Sequence, residues 1–273
     1  MAKTDKQTKN KAGRIRVGIG GWTYEPWRGS FYTKGHPQKN ELAYASAHLT
    51  AIEINGTFYG SQKPTSFIKW REETPENFVF CVKAPRFVVQ KRVLGESGES
   101  IERFFASGVG ELREKLGPVL WQFAPTKKFD PSDFAAFLEL LPRELSGRPL
   151  RHALEVRHKS FACEAFVDLA GKHKIAIVTA CESQHPQIAD ATADFAYFRV
   201  MGAQESQALG YAPDALKQWA SRANDLAAGR VVEDLNHIAA PKAGAPRDVF
   251  LFFISGFKQR NPAAAMDLIK RLA

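Results

Sequence analysis

From Arg14 onward, short apolar runs rich in β-branched and aromatic residues alternate with stretches of helical periodicity. Runs of four to eight such residues bounded by turn formers read as strands; apolar positions three and four apart read as helices. RIRVGIGG is the first strand, followed by a loop with Trp22, Tyr24 and Trp27. A helix around NELAYASAH leads into TAIEING, the second strand. PTSFIKWREE is a helix with Pro64 suited to its first turn, and NFVFCVKAP is the third strand. SIERFFASGVGELREKLG predicts a helix ending on Gly117, before the fourth strand, PVLWQFAP. DPSDFAAFLELL is a helix capped by Asp130 with Pro131 behind it. HALEVRH is the fifth strand, then come a helix over 163–173 and KIAIVTAC, the sixth. A short connection precedes FAYFRVMG, the seventh. A helix near 212–227, an irregular insertion over 229–248, the strand DVFLFFIS and the helix PAAAMDLIKRLA complete the chain.

Eight strands, nearly all separated by helices, predict an α/β fold: a single (β/α)8 TIM barrel, of about 250 residues in the usual case. The domain is expected over 14–273, after an arm spanning 1–13. A doubly wound open sheet is the alternative, but VGIGGW lacks the full GxGxxG that would open a helix.

Strand side chains alternate faces, so each strand splits into two sets. Ile52 and Ile54 share one face, which leaves Glu53 and Asn55 on the other. The same division leaves Cys81 with Lys83, Gln122 alone, Glu155 with Arg157, and Tyr197 with Arg199 and Met201. The apolar partners suit the layer under the helices, so the polar set is expected to face the barrel axis. It falls late in each strand, near the C-terminal mouth where barrel enzymes keep their sites. His158 follows where the fifth strand becomes a loop. Burying charges costs several kcal/mol each unless they are paired, and the set exceeds what a plug requires. A site is the better expectation, with an ion-pair network filling the barrel as the bland one.

Composition adds class and compartment. Hydrophobic residues at 44% and charged residues at 25% are ordinary for a globular protein. No run approaches the roughly 20 apolar residues of a membrane helix, so no membrane partner is expected. The first residues lack the apolar stretch of a secretory signal, and three cysteines without a CxxC pair suit the cytoplasm. The net charge is +9, but residues 1–16 hold six Lys or Arg against one Asp. The arm is expected to be disordered and solvated; its alternative role is non-specific contact with nucleic-acid phosphates.

Six segments carry a wider resemblance: GIGGWTYEPWRGSFY, AIEINGTFY, FVFCVKAP, PVLWQFAP, LEVRHKSF and AYFRVMG. In this order they resemble the hallmark segments of the DUF72, or YecE-like, family, from about Val17 to the C-terminal helix. The resemblance implies a TIM barrel, in agreement with the strand count, but supplies no reaction. Three positions depart from the pattern: Met201 where such proteins often have His, Phe253-Ile254-Ser255 where an Asn-rich turn is usual, and Val89-Gln90 where a Thr-His pair is common. Glu53, Asn55, Lys83, Gln122, Glu155, Arg157, His158 and Arg199 remain.

Those residue types narrow the chemistry. A metal centre wants several His, Asp or Glu at one point, and only His158 among the histidines is placed at the mouth. No cofactor is expected; Glu53 and Glu155 could hold a single Mg²⁺ through waters, in competition with the nearby Lys and Arg. As a glycosidase pair they would need one raised pKa, whereas flanking cations lower it. A Schiff base on Lys83 would need a lowered pKa, which adjacent carboxylates oppose. Anion recognition fits best: Arg157 and Arg199 offer forks, Lys83 a point charge, Asn55 and Gln122 hydrogen bonds, and Trp22, Tyr24, Trp27, Phe58 and Tyr59 stacking faces. The expectation is an enzyme acting on an anionic, phosphorylated small molecule or nucleotide, with Glu53, Glu155 and His158 as acid–base groups. The alternatives are a non-catalytic nucleic-acid-binding barrel and a degenerate barrel without catalysis.

Overall fold

Eight parallel strands close on themselves in the computed structural model, which describes residues 12–273. They are β1 (Ile15–Gly20), β2 (Ala51–Ile54), β3 (Val79–Lys83), β4 (Leu116–Gln122), β5 (His152–Glu155), β6 (Ala176–Cys181), β7 (Phe195–Val200) and β8 (Asp248–Phe253). β1 pairs with both β2 and β8, so the sheet has no edge to protect. The longer helices are α1 (Glu41–His48), α2 (Pro64–Glu72), α3 (Gly98–Ala106), α4 (Pro131–Glu139), α5 (Glu164–Lys172), α6 (Pro213–Ala227) and α7 (Asn261–Leu272). This is the TIM barrel that the alternation of patterns predicts.

The period-two division of the strands separates two buried apolar sets. Ile52, Ile54, Val82, Trp121, Leu154 and Val200 join the layer beneath the helices. Ala51, Cys81, Leu120, Ala153, Tyr197 and Phe252 pack along the axis. Small residues from β2 and β5 and aromatic ones from β7 and β8 together make up this axial cluster. Each fully buried Phe contributes roughly 1.5–3 kcal/mol of transfer free energy.

Three expectations about segments meet the structure differently. The helix predicted to reach Gly117 stops at Ala106, because Gly108 adopts φ +108 and breaks it. A 3-10 segment, Val109–Lys115, follows, and Gly117 lies inside β4. A Cβ on Gly117 would come within 2.6 Å of Val79 Cγ1, so this glycine serves strand packing rather than a helix cap. Most of the expected arm, residues 1–11, lies outside the described residues. Its last residue belongs to the fold: the Gly13 N–H donates to the Ala227 carbonyl at 2.9 Å. The irregular stretch before β8 is tied to the β6–β7 loop. There the Asp190 carboxylate accepts from the N–H groups of Ile238 and Ala239, each at 2.8 Å.

Candidate functional site

Glu53 on β2 and Glu155 at the end of β5 are both fully buried, and Arg199 on β7 joins them. The guanidinium donates to Glu53 through Nη2 at 3.1 Å and Nε at 3.2 Å, and to Glu155 through Nη1 at 2.6 Å. The remaining oxygen valences are also filled. Tyr197 OH donates to Glu53 Oε2 at 2.7 Å and Asn55 Nδ2 to Glu53 Oε1 at 3.0 Å. Gln122 Nε2 donates to Glu155 Oε2 at 2.7 Å, and Arg157 Nε to Glu155 Oε1 at 2.9 Å. Buried charges survive when every lone pair has a donor, and this network meets that condition.

The geometry sets the titrations. Burial alone would raise the Glu155 carboxyl, but Arg199, Arg157 and the Gln122 hydrogen bond outweigh it and hold it at about 2. Arg199 is pushed the other way by burial, yet the two carboxylates and Tyr197 raise it further above its ordinary value. Burial and the Glu53 charge push the Tyr197 phenol well up. Lys83, at the end of β3, is 6% exposed, and its ammonium sits 4.0 Å above the Phe58 ring centre. Burial first and the Arg199 charge second lower it to about 8, against the opposing pull of Glu53 and Glu155. The sequence expectation that adjacent carboxylates would keep this lysine basic is therefore corrected: desolvation wins.

β5 ends at Glu155, so Arg157 lies just past the strand and curls back onto it. Its side chain is 24% exposed, with Nη1 left over after Nε and Nη2 turn to Glu155. Arg199, expected as a clamp, spends all three guanidinium nitrogens on the glutamates. His158 caps the short turn Lys159–Phe161: its Nδ1 accepts from the Ser160 N–H at 3.1 Å. Trp22 is not brought to the cluster; it packs edge-on against Trp70 at 5.2 Å and Phe80 at 6.4 Å. Tyr24 carries the Lys258 ammonium at 4.2 Å from its ring centre, joining the loops after β1 and β8. Tyr59 is 70% exposed beside Phe58. The oxygens of Glu53 and Glu155 that would reach a Mg²⁺ ion are taken by donors. Among the described residues no three His, Cys, Asp or Glu side chains gather as a metal-ligand set.

Two residues that the sequence placed at the mouth without a definite role take one here, and a third has no sequence signal. Tyr197 shares the inward face of Arg199, so the same alternation signals it. Phe58 lies in the one-turn helix Gly56–Tyr59 after β2, too short for periodicity to indicate its direction. His185, in the β6–β7 connection, is lowered by burial and then by the Arg157 charge. No spacing in the sequence announces it.

The family model described as "Protein of unknown function DUF72" matches residues 16–273. The chain belongs to the DUF72 family. Among curated proteins this DUF72 chain is 28% identical over 150 residues to the UPF0759 protein YecE of Escherichia coli K12, covering 54% of this chain and 50% of YecE. It is 29% identical over 160 residues to the UPF0759 protein YunF of Bacillus subtilis 168, covering 56% and 54%. The chain thus spans about half the length of the curated relatives it matches. A crystal structure of a DUF72 family protein from Thermotoga maritima MSB8 superposes with a TM-score of 0.71 at 25% identity, over 95% of this chain and 99% of that one. One from Enterococcus faecalis V583 gives 0.68 at 17% identity, over 94% of each, a likeness of fold. At the positions where this chain departs from the DUF72 pattern, Val89 is buried, Gln90 is exposed and Ser255 takes φ +65.

Proposed function

We propose that the C-terminal mouth binds an anionic, phosphorylated small molecule or nucleotide, and that Lys83 transfers the proton in its reaction. The observation that carries this reading is the burial of the Lys83 amine, 6% exposed and 4.0 Å from the Phe58 ring centre, which together with Arg199 lowers it to about 8. A group titrating there exists in both forms near neutrality, as general acid–base catalysis needs. Glu155, held at about 2, is too weak a base for that role, so the acid–base assignment moves from the glutamates to the lysine. Glu53, Glu155 and Arg199 become the rigid floor that fixes the mouth. Arg157 supplies the accessible fork and protonated Lys83 a second charge, while Phe58 and Tyr59 offer faces beside them. The three free cysteines accord with a reducing cytoplasmic setting.

One observation favours a second reading, a barrel without catalysis: every oxygen of the two glutamates already has a donor. A phosphate titration separates the two. Thermal stability is followed against phosphate, with chloride controls at matched ionic strength, for the wild type and Arg157→Ala. A ligand at 100 times its Kd adds about 2.7 kcal/mol. A saturable rise in the wild type, lost in the variant, is expected; no rise in either leaves the closed network as the account.

A further inference from the structure

The opposite end of the barrel carries the stronger charge. Two adjoining clefts, of about 510 and 730 Å³, open at the N-terminal face and share Pro149, Leu150 and Arg151 as a common wall. Arg14, Arg16, Arg113, Arg148 and Arg151 line the first, with Glu114 and Asp248 as its carboxylates. Arg143 and Lys174 add to the second, against Asp194. Arg148 pairs with Glu114 and Arg151 with Asp248, each at 2.7 Å. Arg14, Arg113, Arg143 and Lys174 have no carboxylate partner among the described residues, so they remain to meet an anion from outside.

Two of these cations hold costly backbone. Arg113 has φ +51 and Lys174 φ +56, a region that side chains other than glycine seldom occupy. Lys174 stands just past α5 in a helix-ending turn, with its N–H on Gly171 O and the Ile175 N–H on Ala170 O, both at 3.0 Å. Glycine is the favoured residue there. A lysine at that position puts a charge where glycine would be the less strained residue.

We infer that this N-terminal face is a binding track for a nucleic-acid strand, gripped through its phosphodiester backbone. Two clefts that share a wall at Arg151 suit an extended polyanion better than a compact ligand. Cations in excess of carboxylates recognise phosphates without reading bases. The site is separate from the mouth and does not depend on the activity proposed there.

The test uses the full chain and a fluorescein-labelled oligouridylate strand, with inorganic phosphate as competitor. About four neutralised phosphates give a slope of log affinity on log salt near −3. The double variant Arg113→Glu/Arg148→Glu, both on exposed side chains, should bind at least about tenfold more weakly with a shallower slope. Lys174→Gly should also weaken binding while melting no earlier than the wild type, which separates lost charge from lost fold. Arg157→Ala at the mouth should bind as the wild type does. Three results overturn the inference: binding untouched by the face variants but abolished by deleting residues 1–11, binding weakened by Arg157→Ala instead, or no binding at low salt. Displacement of the strand by inorganic phosphate at equal phosphate concentration would likewise overturn it, by showing a compact anion site.

Discussion

Arg199 is the residue on which the mouth depends. It is 3% exposed and spans carboxylates from two different strands, so removing it strands two buried negative charges. Breaking a buried pair in this way costs about 3–5 kcal/mol. Arg199→Met should lose that much at pH 7, measured by denaturant unfolding. The pH dependence has a definite sign. Glu155 is depressed from 4.5 to about 2 in the folded protein, so its contribution is present above 4.5 and is lost as pH falls toward 2. The deficit of the variant should therefore be largest above pH 4.5 and shrink on acidification. A deficit independent of pH across that window would mean that Arg199 acts through packing alone.

At the scale of elements, the strands were legible because their side-chain period is two and their faces differ in polarity. Ile52 and Glu53, or Val82 and Lys83, can be assigned to opposite faces from the sequence, and the buried clusters divide accordingly. Element ends were less legible. The apolar spacing from Ser100 to Leu116 continues through a region where Gly108 reverses the backbone, and helical periodicity cannot register a positive φ. Gly117 was assigned to the wrong element for a related reason: a glycine that ends a helix and one that admits a neighbouring strand look alike in sequence. Its actual role sets an expectation. Gly117→Ala would press a methyl against Val79 and Cys81, and overpacking of this kind costs about 1–3 kcal/mol. Chemical denaturation should show that loss, with Cys81→Ala recovering part of it. An unchanged midpoint would mean β4 shifts freely to make room.

Across the whole molecule, the barrel keeps its two ends chemically distinct. The mouth neutralises most of its own charge in a network drawn from β2, β4, β5 and β7, and exposes Arg157 with a little of Lys83. The N-terminal face leaves several cations unpaired. The pairing of Arg199 was not readable in sequence, because it lies 146 residues from Glu53 and 44 from Glu155. Residue types could be gathered at the mouth, but which cation would be consumed and which left over is decided by closure of the barrel. Desolvation of Lys83 is likewise a product of closure and of the Phe58 ring above it. The proposal for the mouth rests on that lysine, so its titration is the most direct test. Lysine ε-carbon signals would be followed by NMR against pH, with Lys83→Met identifying the resonance and inorganic phosphate added in a parallel series. The account expects one lysine titrating near 8, absent in the variant and shifted upward by phosphate. A Lys83 signal that titrates with the ordinary lysines near 10.4 and ignores phosphate would contradict it.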